Sequence, residues 1–408
     1  MSRSSALAAA AAFVVGLGLP PADALDEAIG RAMFRRAWVP APSATRSDDG
    51  LGPLFDARSC AACHPGGDRP VVSLDHEGAA TARGLVVRLA GADGAPDPVY
   101  GRQMQHEAVT SVPVEATITV ARTRQRVGGR ALTRPLPRLA DLGYGGLAPA
   151  TRVSLRLAPP LFGLAAIEDV PEEAIRAVAA KQAAAGGEVR GRVSEILDDA
   201  GTPRVGRFGF KAQQIDLGRQ TAEAFSTDMG LSSPWKPAAE GDCRTAQGAC
   251  LAAPQGAPDR AGPHEIDAAI VAAIVDHLRA LPVPTSPTRG ATKHGEELFG
   301  AIGCAACHGS DLGGRPALRS DLLLHDLGEG LSSGAGEGSA GPRDWRTAPL
   351  AGLGHAVARG AGLLHDGRAP TLEAAILWHD GEAAGARRRF SALPNADRRA
   401  LLAFLASL

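Results

Sequence analysis

Two short stretches of this sequence place reactive side chains at a spacing that does chemistry: Cys60-Ala61-Ala62-Cys63-His64 and Cys304-Ala305-Ala306-Cys307-His308. Two thiols separated by two residues, with an imidazole directly after the second, form the attachment pattern of a c-type haem. The thiols add across the two porphyrin vinyl groups, and the adjacent His turns back to ligate the iron. A thioredoxin-like reading needs a βαβ pattern around the cysteines, and neither copy has one. A zinc site needs a second ligand pair at short range, and none follows. The expected cofactors are therefore two covalently bound c-type haems, one held by Cys60, Cys63 and His64 and the other by Cys304, Cys307 and His308.

The opposite face of each iron takes a second ligand or stays open, and that choice separates electron transfer from catalysis. The chain has four Met, at positions 1, 33, 104 and 229, so none follows the second motif. His379 takes that place best. Pro370 and Thr371 open a helix with Glu373 in its first turn, and Leu372, Ala375, Ile376 and His379 share its apolar face. A His on such a face is ordinarily a hydrogen-bonded core residue. The missing Met beside a haem motif turns the reading toward iron ligation. His365 reads as a pocket group and His325 as a pocket residue or a buried pair. For the first motif the ligand is Met104 or His106, 40 and 42 residues past His64; His76 is nearer, and an open site is a further option.

The elements that position these groups are less sharply marked. Helical patterns cover 26–38, 171–182, 216–224, 264–281 and 395–408, and a short one at 294–299 precedes the second motif as 26–38 precedes the first. Runs at 114–120 and 152–157 look β-like, and Pro-rich 282–289 reads as a linker. The fold expected is mainly α: two cytochrome c-like haem domains, at 25–285 and 290–408, with a loop-rich, partly β insertion in the first. Residues 1–24 read as an export signal, with Arg3, an apolar run at 6–19 and Ala22-Asp23-Ala24 as the cleavage site, which predicts a periplasmic protein. Cys243 and Cys250 are then a small disulfide or, failing that, free thiols. No other apolar run is long enough to span a membrane once the signal is removed. The net charge is −1, from 43 basic and 44 acidic residues without long blocks. That argues against nucleic acid or an anionic membrane surface as a partner.

The stretches DGLGPLFDARSCAACH (49–64), APPLFGLAAIEDVPEEAI (158–175) and GRFGFKAQ (206–213) resemble the di-haem oxidoreductases of peroxidase type, once called thiol oxidoreductases. So do SDLLLHDLGEGL (320–331), DWRTAPLAGLG (344–354) and LLHDGRAPTLEAAILWHDGEA (363–383). The last two are also similar to the bacterial di-haem cytochrome c peroxidases and to the di-haem enzyme that matures methylamine dehydrogenase. In that class the position of His379 holds an axial Met or Tyr, so the resemblance too implies His379 as an axial ligand. It implies a distal carboxylate that handles protons during O–O cleavage, for which Glu168 is the nearest match. Phe210 stands where the family often has Trp, and Phe would serve worse as an aromatic electron relay. The implied function is reduction of hydrogen peroxide with electrons from a small periplasmic donor, a cytochrome c or a cupredoxin. The alternatives are a non-enzymatic di-haem electron-transfer cytochrome and a high-valent di-haem oxidase acting on a partner protein.

Overall fold

The computed structural model describes residues 22–72, 84–256, 262–288, 293–309, 311–315 and 317–408. The export signal up to residue 21 and His76 lie outside them. The longer helices are α1 (Ala22–Arg35), α2 (Glu172–Ala185), α3 (Leu217–Met229), α4 (Ala268–Ala280), α5 (Lys293–Ala301), α6 (Leu372–Trp378), α7 (Ala384–Ala392) and α8 (Asn395–Leu405). Asp216 caps α3 by accepting from the Arg219 amide, and Asp267 caps α4 by accepting from that of Ile270. Each satisfies an amide that the first helical turn would leave orphaned.

The two helices that precede the motifs are seated alike. A Cβ on Gly30 would collide with the Ala273 carbonyl of α4, and one on Gly295 with the Ala400 carbonyl of α8. Each glycine lets two backbones approach where a larger residue would hold them apart. Phe34 and Phe299, each four residues further on, are then buried.

Strands carry a substantial share of the architecture beside these helices. β1 (Leu85–Ala90) pairs antiparallel with β2 (Gln103–Met104) on one side and β5 (Arg152–Leu157) on the other. β3 (Thr117–Val127) and β4 (Arg130–Ala140) form a hairpin in register from Thr117↔Ala140 to Val127↔Arg130. β6 (Leu324–Asp326) and β7 (Asp344–Arg346) pair so that His325 faces Trp345. The described residues hold six sheets of two or three strands, and 33% of them are helical and 19% extended.

The expected mainly α chain of two cytochrome c-like haem domains is therefore overturned; this is a mixed α and β protein. The hairpin shows why the pattern misled. Its outer half alternates Arg with Thr and Gln, and its return strand carries Pro135 and Pro137, so hydrophobic alternation stops near residue 120 while the ladder runs on.

Three larger hydrophobic cores stand out among the described residues. Phe34, Trp38, Phe55, Phe225 and Ile274 share one with Leu312, Leu318 and Leu323 from beyond the second motif. Phe299, Leu331, Trp345, Trp378 and Phe404 share another with Val127 at the hairpin tip. Leu85, Val87, Tyr100, Met104 and Leu155 close a third, on the three-stranded sheet. The stretch 282–288 has no regular secondary structure. Cys243 and Cys250 are joined as a disulfide. Among the described residues, no helix is long and apolar enough to cross a membrane.

Candidate cofactor sites

The second motif follows α5 in a tight turn in which the His308 amide donates to the Cys304 carbonyl at 2.9 Å. Its cysteines and His308 line a cavity of about 350 Å³ whose walls include Phe299, Leu318, Leu331, Ile376 and Leu405. His379 lines the same cavity from the end of α6, where the Thr371 hydroxyl caps the helix by accepting from the Ala374 amide at 3.1 Å. The expected cap and the expected ligand are thus brought to one place.

Both imidazoles are prepared alike. His308 Nδ1 donates to the Arg319 carbonyl at 3.0 Å, and His379 Nδ1 to the Ala375 carbonyl at 2.8 Å. A carbonyl can only accept, so Nδ1 carries the hydrogen and Nε2 keeps its lone pair. Burial pushes His308 down to about 4, with the charge of His379 acting in the same direction, and burial also lowers His379. Neutral imidazoles with Nε2 available are what a metal requires.

The residues fit a haem. Besides the two thiols, two imidazoles and apolar wall, the cavity holds Arg387, whose Nη1 is buried without a partner while Nη2 donates to Asp380 at 3.0 Å. A haem propionate is the kind of anion that would satisfy it.

The remaining polar groups here are positioned as neighbours. His325 lies between Asp321 Oδ2 at 3.0 Å and Glu382 Oε2 at 2.7 Å, with Cys307 Sγ 3.8 Å away. Burial opposes its charge, but the bonds to Asp321, Cys307 and Glu382 outweigh it and hold His325 far above its ordinary value. His365 stacks on Trp345 with ring centres 3.8 Å apart. Burial, and then Arg368 and other cations, keep it neutral.

Phe210 meets the edge of Trp345 at 6.4 Å, so a tryptophan does stand on this wall, behind the position where the resemblance places one. Lys211 sits 4.2 Å from the Trp345 ring centre and donates to the carbonyls of Gly341, Pro342 and Asp344. Burial, with Arg156 nearby, pushes this lysine down to about 7. Trp345 and Lys211 lie in two of the stretches that carry the resemblance, but neither was singled out, because their partners come from distant segments.

At the first motif, Ser59 caps the short Cys60–Cys63 helix through the Ala62 amide. His64 repeats the pattern of the second site: Nδ1 donates to the Pro159 carbonyl at 2.9 Å, and burial pushes the ring down to about 4. Burial raises Cys60 and Cys63 to about 12, and the Asp228 carboxylate adds to both.

Asp228 belongs to a polar network. Gln103 Nε2 donates to Asp228 Oδ1 at 2.8 Å and to Asp56 Oδ2 at 2.7 Å, and His106 Nδ1 bonds Asp56 Oδ1 at 2.6 Å. Nearby, Glu115 accepts from the Gln105 amide and from Gln247 Nε2, both at 2.6 Å. Burial pushes Asp228 up to about 6 and Glu115 up to about 8. Burial alone would lower His106, but Asp56 outweighs it and the net shift is upward. Met104 is packed in the core of the three-stranded sheet, whereas Met229 is part of the core against which Cys60 packs. Asp228 and Glu115 are residues that sequence reasoning missed.

Glu168 is placed otherwise. One oxygen accepts from the Leu217 amide at 3.2 Å and the other pairs with Arg279 at 2.7 Å, while the cavity wall passes it by at Leu164 and Ile167.

The two sites share a wall. Arg69, five residues past His64, donates to the carbonyls of Gly362 at 2.7 Å and Leu364 at 2.6 Å. Arg69, Pro160 and Phe162 line the second cavity, and Pro160 follows the residue whose carbonyl holds His64.

A family model described as "Di-haem oxidoreductase, putative peroxidase" matches residues 147–408. No curated protein matches the chain. Among solved structures, hydrazine synthase of Kuenenia stuttgartiensis, pressurised with xenon, is similar at 15% identity, over 100% of this chain and 99% of that one, with a TM-score of 0.38.

Proposed function

The chain belongs to the di-haem oxidoreductase family, and from that premise we propose that it is a periplasmic enzyme that holds two covalent c-type haems and reduces hydrogen peroxide with electrons from a small redox protein. The observation that carries the reading is the repeated imidazole geometry. His64, His308 and His379 each spend Nδ1 on a backbone carbonyl and keep Nε2 free, and two of them complete a Cys-x-x-Cys-His motif. Cys60, Cys63 and His64 would hold one haem, in the 25–285 part of the chain. Cys304, Cys307, His308 and His379 would hold the other, in the 290–408 part.

When bound, the haems supply the iron at which one peroxide takes up two electrons and two protons and leaves as two waters. The chain's own residues divide the remaining work. At the second site two prepared imidazoles face one cavity, which suits receiving and passing electrons. At the first, His64 is fixed, while Met104 is packed in the core of the three-stranded sheet and His106 is held by Asp56. The protons come from groups that still hold them near neutral pH. Glu115, raised to about 8, does so because burial disfavours its charge, and burial moves Asp228 in the same direction, to about 6. Glu168, with both oxygens committed, keeps a positioning role at the start of α3.

Rapid mixing of the reduced protein with peroxide tests the reading. Saturable reoxidation at micromolar peroxide, with a haem spectrum accounting for two haems per chain, is the expected result. Slow, unsaturable reoxidation would instead leave an electron carrier.

A further inference from the structure

The β3–β4 hairpin has a feature that the proposed reaction does not use. Between Glu115 and Asp141 the chain contains six Arg and no Asp, Glu or Lys, although the whole protein is close to neutral. In a strand alternate residues face the same way, so Arg122, Arg124 and Arg126 lie along one face, and all three are exposed. Their cross-strand partners on that face are Pro135, Thr133 and Ala131, none of which carries charge. Like charges spaced ~7 Å along a strand repel one another.

The opposite face explains where the stripe is held. Val127 is buried in the core of Leu331, Trp378 and Phe299. Gln125 Nε2 donates to the Glu329 carbonyl at 3.5 Å. Gly128 is packed so closely on Arg387 that a Cβ there would come within 2.5 Å of its Nη1. Leu331 and Arg387 line the second cavity, and Trp378 directly precedes His379. The tip of the arm is therefore anchored on residues that wall the second cavity, and Arg122, Arg124 and Arg126 lie on the other face of the same strand.

We propose that Arg122, Arg124 and Arg126 form the docking surface for an acidic redox protein that delivers electrons to the second site. This rests on the oxidoreductase reading above. In the step itself the docked partner loses one electron and one ferric iron of the chain becomes ferrous. A carboxylate-rich partner face complements the stripe, steers the encounter and orients the partner over the Trp378–His379 wall.

The test uses the holoprotein with both haems and two probes: a reduced acidic blue-copper protein and a reduced basic single-haem cytochrome. Electron transfer into the oxidised protein is followed by stopped flow without peroxide, and equilibrium binding of each probe is titrated in parallel. Replacing Arg122, Arg124 and Arg126 together by Gln is expected to slow the acidic probe about tenfold, flatten its ionic-strength dependence and weaken its binding by a similar factor. Reversal to Glu deepens the loss, while the basic probe is not slowed. Unchanged rates and binding for the acidic probe, or equal losses for both probes, overturn the proposal. So does loss of binding to anionic lipid vesicles with the acidic probe unaffected, which would make the stripe a membrane contact. Peroxide turnover with a small-molecule reductant is measured separately; its absence would remove the peroxidase reading and leave the docking result standing.

Discussion

Replacing Glu115 by Gln probes the proton-holding groups at the first site. Glu115 is almost fully buried, and burial raises its pKa from 4.5 to about 8. Between those two values the folded chain keeps a proton that the unfolded chain has lost. Stability is then complete below pH 4.5 and falls as pH rises through 8, by about 1.4 kcal/mol per pH unit from this single group. Across the full window the loss is at most about 5 kcal/mol, an upper figure because buried groups relax. Glu115→Gln removes the titration but turns a donor toward the Gln105 amide or Gln247 Nε2, an unmade bond that costs about 1–3 kcal/mol at any pH. The variant is therefore expected to be less stable than the parent near pH 5 and equal or more stable near pH 9. Urea unfolding followed by far-UV circular dichroism at several pH values measures both curves. If the two stay parallel from pH 5 to 9, Glu115 does not hold a proton in the folded chain, and its role as a proton source falls with it.

Further outcomes follow from the same structure. His379→Ala removes one of the two imidazoles on the second cavity, and the ferric signal of that haem should change from low spin to high spin by electron paramagnetic resonance; an unchanged low-spin signal would put the ligand elsewhere. Lys211→Met leaves three carbonyls without their donor, a loss of about 2–3 kcal/mol at pH 7. Because burial lowers this amine to about 7, the unfolded chain binds the extra proton, so the parent gains stability as pH climbs from 7 toward 10.5 and the variant should lack that rise in urea midpoints. Gly295→Val drives a side chain into the Ala400 carbonyl, separating α5 from α8 at a cost of about 1–3 kcal/mol; a melting temperature equal to the parent's would contradict the crossing.

The chemistry was the most legible part of the chain, and the architecture the least. Thr371 caps the helix that carries His379, as its position between Pro370 and Glu373 predicts, and Cys243 pairs with Cys250 seven residues away. The 152–157 strand also stands where its alternation puts it. The mainly α architecture did not survive, because the hairpin hides its period under arginines and prolines whose placement only the neighbouring core explains. Glu168 matched a resemblance but lies at a helix start against Arg279, whereas Glu115, which no motif marks, is buried against Gln105 and Gln247.

The sequence by itself determined what depends on covalent spacing: the Cys-x-x-Cys-His pairs, the capped helix that ends in His379, and the short disulfide. Those relations span a few residues, so bond lengths and backbone geometry set them before the chain folds. Only the tertiary structure decided which groups lose water together. Glu115 meets Gln247 across 132 positions, and Arg69 meets Leu364 across 295. A pKa, a shared wall or a charged stripe over a cavity arises from desolvation and close approach between such distant segments, and no local pattern encodes it.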